Sequence, residues 1–380
     1  MSRVTYPHLG TLYISAEHFS RALGLEPVTP PFTTRRTLDL GVTHCPEMIC
    51  APCKILFGNY YEGLELGADR LVLFGGPDTC RLGYLARPQA ERLRAAGFRF
   101  TPHTLSLRGM AADIVRVARE LAEPSPLELV EAARTLLASL SLVDEIEQES
   151  LRLRPRERER GAATRLRMEA LAAAGACQNR AELQARHKAI VDPLQTAPRD
   201  TGHPVFRLAL LGDVYSLSEP FFNMNLKQQL GYMGVEVERW FWLSNSLRFP
   251  ILERVRNRSQ TQAREEEVGR YLGHDVGGFA LPSMKEAVAF VREGIDGLIH
   301  LAPFNCTPEI VAVSVLPRLA RDSRYPSTRH LPCRCRSVPT GQGLCRAPAC
   351  PGRSGRSPLC AQLAPACARR HPLCQDHRSA

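Results

Sequence analysis

Gly67-Ala-Asp-Arg-Leu-Val-Leu-Phe74, followed by Gly-Gly-Pro-Asp-Thr and Cys80, decides the fold because it occurs twice. Its echo is Gly294-Ile-Asp-Gly-Leu-Ile-His-Leu301, followed by Ala-Pro-Phe-Asn and Cys306. Each copy puts a Gly-x-Asp turn after a helical pattern and then a short apolar run. Such a run, bounded by glycine or proline, reads as a buried strand of a parallel sheet. Each strand then breaks into a Gly/Pro loop that carries one cysteine. Ligands of open α/β sheets bind outside the carboxyl ends of the strands, which is where these two cysteines would sit. A second echo supports the first: Leu9-Gly-Thr-Leu-Tyr13 matches Leu211-Gly-Asp-Val-Tyr215. The chain therefore reads as two similar α/β halves whose cysteine loops face each other.

Outward from these stretches, residues 1–105 alternate strand and helix, with helical spacing at Ala16–Leu23, Asn59–Leu66 and Pro88–Ala96. That alternation predicts a first α/β lobe containing Cys50 and Cys80. Residues 106–200 change to Ala, Leu, Arg and Glu with helical periodicity, and read as a helical insert. Within it, Arg152–Arg160 reads as a solvated surface or hinge, and Cys177, among alanines, as a small packing residue. After a linker at Thr201–Pro204, residues 201–323 form a second α/β lobe with Cys306. Its expected elements are strands at Phe206–Leu211, Val235–Leu243 and Gly297–Leu301 and helices at Glu219–Met233, Pro282–Glu293 and Pro308–Ala320.

From residue 324 to 380 the pattern stops. Arg, Pro, Cys, Ser, Gly, Ala and His follow one another without periodicity, and the segment reads as an irregular, disordered tail. A shifted reading frame in GC-rich DNA produces this kind of composition. The sequence thus predicts an out-of-frame tail, the loss of the last strand and helix of the second lobe, and an uncovered sheet edge that makes the chain prone to aggregate.

Charge and cysteine divide along the same line. The net charge is +10, but residues 324–380 hold ten arginines and one acid, leaving the first 323 residues at about +1. A nearly neutral body lacks the basic footprint that phosphate backbones require, so no nucleic-acid partner is expected. No run of about 18 apolar residues exists, so no membrane span is expected. With no signal-like start, the chain reads as cytoplasmic. Seven of the thirteen cysteines lie in the tail, and the others are Cys45, Cys50, Cys53, Cys80, Cys177 and Cys306. In a cytosolic setting, clustered cysteines point to metal or redox chemistry before disulfides.

Four readings compete for these cysteines. Cys50-Ala-Pro-Cys53 has the spacing of a thiol-redox pair, without the strand and aromatic residue that precede such motifs. Cys45, Cys50 and Cys53 have the spacing of a plant-type ferredoxin, with Cys80 as a later fourth ligand. Partly buried thiols with no chemistry are the third reading. The fourth takes one cysteine from each of three loops: Cys50, Cys80 and Cys306. Thr307 and Pro308 mark a helix start next to Cys306, and the amides and dipole of a helix N-terminus favour a thiolate.

Several separated motifs carry a resemblance. They are Pro46-Glu-x-x-Cys50-x-Pro-x-Lys54, Cys80-Arg-x-Gly-Tyr84, Gly212-Asp-x-Tyr215, Phe222-Asn223-x-Asn225, Gly273-x-x-x-Gly277-Gly278 and Pro303-Phe-x-Cys306-x-Pro-Glu309. Over residues 1–323 the chain resembles the acyl-CoA dehydratase activase-related proteins, also called CoA protein activase, which are similar to components of 2-hydroxyacyl-CoA dehydratases. The resemblance implies two Rossmann-like lobes and a [4Fe–4S] cluster held by Cys50, Cys80 and Cys306. It also implies low-potential electron transfer or reductive acyl-CoA chemistry, typical of anaerobic systems. The implied partners are a separate ATP-dependent activase as electron donor and an acyl-CoA. The chain itself has no G-x-x-x-x-G-K-[ST] loop, so the nucleotide site belongs to that partner. Around the ligands, Lys54 and Arg81 would balance cluster charge, and Asp213, Tyr215 and His274 are further candidates to line the cleft. The readings from other classes are a non-catalytic α/β scaffold or binding protein, and a Cys50/Cys53 thiol-redox or zinc protein.

Overall fold

The computed structural model describes residues 2–76, 80–106, 109–202, 204–245 and 266–322, and the backbone of 336–340. The first half runs β1 (Arg3–Thr5), α1 (Leu12–Ala22), β2 (Glu26–Pro27), α2 (Arg35–His44), α3 (Ala51–Glu65), β3 (Arg70–Phe74), α4 (Arg81–Ala95) and β4 (Thr101–Leu105). Four helices follow, α5 (Met110–Ala122), α6 (Pro126–Leu153), α7 (Ala162–Gly175) and α8 (Arg180–Thr196), with a 3-10 turn at Arg154–Arg156 after α6. The second half contains β5 (Phe206–Gly212), α9 (Val214–Ser218), α10 (Leu226–Tyr232) and β6 (Val235–Arg239). It continues with α11 (Ala280–Arg292), β7 (Gly297–Pro303), α12 (Thr307–Asp322) and β8 (Arg336–Thr340).

The protein is α/β, with two four-stranded sheets. Their orders are β2-β1-β3-β4 and β6-β5-β7-β8, and every pairing is parallel. Each sheet reverses its winding between its first and third strands, β1/β3 and β5/β7, so the loops leaving those strands flank a crevice. The two stretches that opened the sequence reading are β3 and β7, and both are followed by the cysteine loops.

The cores explain why the halves stay together. Phe57 and Tyr60 of α3 are fully buried against Leu71 and Leu73 of β3, and this same core takes in Tyr215 and Phe222 from the second half. Tyr215 meets Phe222 edge-on with ring centroids 5.9 Å apart, an arrangement aromatic pairs favour. On the other side, Ile14 of α1 packs into the core of α6, α7 and α8. His18 of α1 bonds Ser139 Oγ at 2.8 Å and the Cys177 carbonyl at 2.9 Å. Cys177 itself is fully buried there, in the packing role the sequence assigned to it.

Several elements differ from expectation. The sequence reading lacked α2 and β4. Helix α2 has only a thin apolar face and packs on α3 by close backbone approach: a Cβ on Gly41 would lie 1.9 Å from the Lys54 carbonyl oxygen. The expected helix Glu219–Met233 begins only at Leu226, because Met224 and Asn225 adopt left-handed φ values of 55°. The expected strand Val235–Leu243 ends at Arg239. The run Arg152–Arg160 is not simply a solvated surface, since Arg154 is buried. In the region read as an irregular tail, Arg336–Thr340 pairs in parallel with Ile299–Pro303 of β7. The edge of β7 is therefore covered at these residues, and Pro339, which lacks an N–H, is accommodated because β8 is an edge strand. The rest of the tail reading, 324–335 and 341–380, lies outside the described residues.

Candidate functional site

Three cysteines stand at three helix starts. Cys50 is the cap residue of α3, with Pro52 in its first turn, and Cys80 is the cap residue of α4. Cys306 directly precedes α12, and its carbonyl accepts the first helical bond, from Ile310 N at 3.0 Å. Thr307 is thus the first helical residue, and Cys306 occupies the capping place before it. Asn305 before it takes a left-handed φ of 59°, which turns the chain from the end of β7 into the helix.

The two halves are stitched at this place by polar contacts of the backbone. Ala51 N, at the start of α3, donates to the Phe304 carbonyl at 3.2 Å. Asn305 Nδ2 donates to the Met48 carbonyl at 3.3 Å. Gly278 completes the junction with φ of +55°. A Cβ there would lie 3.1 Å from Pro308 Cγ and 3.8 Å from Cys80 Cβ. Gly277 and Gly278 both take positive φ, a conformation open to glycine and rare for other residues. The Cys50 and Cys306 thiols influence each other electrostatically, as do Cys53 and Cys80. Loops from β3 and β7 and the start of α3 therefore converge on one neighbourhood.

Each thiol has a different environment. Cys50 Sγ and Cys53 Sγ stand 3.1 Å apart. The Cys53 thiol donates to Cys50, which draws the Cys50 pKa below that of an ordinary thiol against the effect of burial. Cys53 shifts well upward for the same reason and because it is fully buried. Cys45 sits at the C-terminal end of α2, where the helix dipole opposes an anion, and burial raises it to about 11. These three pack with Ile49, Leu82 and Leu85. Cys45, Cys50, Cys53, Cys177 and Cys306 form no disulfide.

Cys306 departs from expectation. The Glu309 amide does donate to its sulfur, as a helix start should, yet its thiol shifts far upward. Burial is the largest cause, and the Asp213 and Glu309 carboxylates add to it. Burial first, and then the two carboxylates from the same end of the sheet, outweigh the helix start. Asp213 caps α9, accepting Ser216 N at 2.9 Å and Ser216 Oγ at 3.0 Å. Burial and then the Glu309 charge push its carboxyl up to about 7. Glu309 Oε2 in turn lies 2.8 Å from His300 Nε2, both side chains nearly fully buried.

The other candidates separate. Arg81, first residue of α4, lowers the Cys50 pKa by its charge. Lys54 acts on Cys45 and donates to the Glu47 carbonyl at 2.8 Å. Tyr215 belongs to the core shared by the halves, and burial raises its phenol well above an ordinary tyrosine. His274 is exposed on the loop before Gly277. Sequence reasoning missed His300 and the electrostatic role of Glu309. A glutamate in a first helical turn looks like routine dipole compensation, and only the fold brings His300 of β7 against it.

No protein-family model and no curated protein matches this chain. Among the described residues, no three His, Cys, Asp or Glu side chains close around a point that would hold a single metal ion. A four-iron cluster makes a different demand, because its ligand sulfurs stand apart around a cubane, one to each iron. Three thiols from three loops, with Arg81 near Cys50 and the backbone amides of Cys53 and Glu309 at the Cys50 and Cys306 sulfurs, are a donor set of the kind such a cluster takes. Among the described residues no helix is long and apolar enough to cross a membrane.

Proposed function

We propose that Cys50, Cys80 and Cys306 hold a [4Fe–4S] cluster where the two halves meet, and that the chain is an iron–sulfur protein of the 2-hydroxyacyl-CoA dehydratase/activase-related type. The reading treats the two sheets as Rossmann-like lobes and α5–α8 as an insert between them. One observation carries it: cysteines from three separate loops, each immediately before a helix, come together at the carboxyl ends of two parallel sheets. Convergence of this kind at a crevice is how open α/β sheets build ligand sites.

A cluster bound there supplies one-electron transfer, and three thiolates leave one iron for a different ligand. The protein's own residues would hold and tune it. Arg81 and the amides at the helix starts would stabilise negative charge on the sulfurs. Asp213, with its carboxyl titrating near neutrality, would keep a proton beside the site, and Glu309 with His300 would set how readily it leaves. An acyl-CoA ligand and a separate ATP-dependent electron donor belong to the same reading. Iron and sulfide content with EPR, on protein purified without oxygen, tests it beside Cys306→Ala. About four irons per chain, lost in the variant, are expected. About two irons that survive the substitution would instead support the Cys45, Cys50, Cys53 and Cys80 set, and absence of iron would overturn both.

The 3.1 Å separation of Cys50 and Cys53 favours a second reading, a thiol–disulfide pair. A C-x-x-C at a helix start, with its first thiol lowered and its second buried, is the arrangement of dithiol oxidoreductases. This reading predicts a pair that oxidises and reduces reversibly whether or not Cys306 is present.

A further inference from the structure

Cys53 has no part in the three-cysteine set, yet its Sγ stands 3.1 Å from Cys50 Sγ. The start of α3 fixes that distance. Cys50 is the cap residue, Pro52 lies in the first turn, and Cys53 N donates to the Cys50 carbonyl at 3.1 Å. Proline holds its own φ, which stiffens this turn. Two more bonds tie the turn to its surroundings. Ala51 N donates to the Phe304 carbonyl at 3.2 Å, and the buried Gln89 of α4 donates through Nε2 to the Cys53 carbonyl at 3.1 Å. Cys53 has no exposed surface, whereas Cys50 keeps 7%. An oxidant arriving from solvent therefore meets Cys50 first and reaches Cys53 only through it.

The two sulfurs would have to approach by about 1 Å to bond to each other. Cys50 cannot then serve the cluster as well. Iron takes a thiolate, and a sulfur engaged in a disulfide has none to give.

We propose that Cys53 is a resolving thiol for Cys50: when no cluster is bound, peroxide oxidises Cys50, Cys53 captures it as a disulfide, and cluster loading stops until the pair is reduced. This rests on the cluster reading given above. In the first step the Cys50 sulfur takes one oxygen from hydrogen peroxide, giving a sulfenic acid and water. The Cys53 sulfur then attacks the sulfenic sulfur, and the hydroxyl leaves with the Cys53 proton as a second water. Two thiols and one peroxide become one disulfide and two waters. Each sulfur gives up one electron, and the peroxide oxygens take up both. A dithiol reverses the change by thiol–disulfide exchange. Without Cys53 the sulfenic acid passes on to sulfinic acid, which a dithiol does not recover. The disulfide thus preserves the ligand that it withholds.

The test uses the full-length chain, purified without oxygen and stripped of iron by a chelator. One portion is treated with a small excess of hydrogen peroxide, cleared with catalase, alkylated and mapped by peptide mass. The link expected is Cys50–Cys53. Other portions are offered ferrous iron and sulfide. Uptake should fall roughly tenfold after peroxide and return after dithiothreitol. Cys53→Ala should load like the wild type before peroxide and regain little of its uptake afterwards. A link to Cys45 instead, undiminished uptake by the mapped disulfide, or full recovery of Cys53→Ala would overturn the proposal. A cooperatively melting Cys53→Ala that takes up no iron before peroxide would make Cys53 a ligand, and would overturn it too. Reduced wild type that takes up no iron would overturn the cluster reading itself, and the switch with it, whatever the map shows.

Discussion

The first half meets the junction with Cys50, Cys53 and Cys80 among apolar side chains and Arg81, whereas the second meets it with Cys306 among Asp213, Glu309 and His300. The two sheets are wound in the same order, so the backbone delivers corresponding loops to corresponding places. What those loops do there is set by their charges. On the first side, sulfur next to sulfur lowers one thiol at the expense of the other. On the second, burial and the carboxylates at a strand end raise the thiol, and burial and Glu309 raise Asp213. Identical topology has produced an electron-rich acidic wall facing a thiol-rich one.

Iron content gives the sharpest way to break this comparison. If the site spans both halves, Cys306→Ala abolishes the iron entirely, while Cys45→Ala, at the disfavoured end of α2, leaves it in place. The reverse result would put the metal wholly in the first half. Next in size is Gly212→Ala. Gly212 has φ of +112°, and a Cβ there would lie 2.2 Å from the Leu301 carbonyl oxygen. With strain and backbone collision combined, denaturant unfolding should show a loss of about 3 kcal/mol. A change below about 1 kcal/mol would mean that β5 and β7 do not approach as closely as described.

Asp213→Asn tests the acidic wall through pH. The Asp213 carboxyl, raised to about 7, keeps its proton in the folded chain where the unfolded chain has already released it. Below about pH 4 both states are protonated, so the group is neutral toward stability. From about 4 to 7 stability falls, and above 7 the deficit is constant. Asparagine still caps α9 but cannot ionise. The variant should gain about 2 kcal/mol at pH 8, allowing for the partial exposure of the group, and nothing at pH 4. Equal effects at both pH values would remove the carboxylate cluster as their cause. The smallest effect is expected at Gly278→Ala, about 1 kcal/mol from its left-handed φ, with Pro308 able to yield slightly. If it instead lowered iron content without changing stability, the Cys80–Pro308 approach would matter more for the site than for the fold.

Much of the fold was legible because it repeats. Two glycine-bounded apolar runs specified β3 and β7, and their loops placed Cys80 and Cys306 at strand ends. Cys177 among alanines was read as packing and is packing. Other elements were hidden for physical reasons. Helix α2 relies on Gly41 nesting against the backbone of α3, and no hydrophobic period announces such a contact. Helix α10 starts late because two consecutive residues turn left-handed, a tertiary choice for Met224 in particular. Of the site, the cysteines were visible and the acids were not. Asp213, His300 and Glu309 are 96 residues apart from first to last, so their mutual influence exists only in the folded chain.

Composition and pattern alone therefore determined an α/β chain with a nearly neutral body, repeated strand–loop–helix units and cysteines at loop positions, because hydrophobic period and turn residues act locally. Tertiary structure alone decided which charges share a buried space. The Cys306 thiol looks favoured by its helix start in sequence and is disfavoured in the fold. Arg154 looks solvated in sequence and is buried in the fold. In both cases the deciding change is removal of the group from water, to which charges brought close by the fold add.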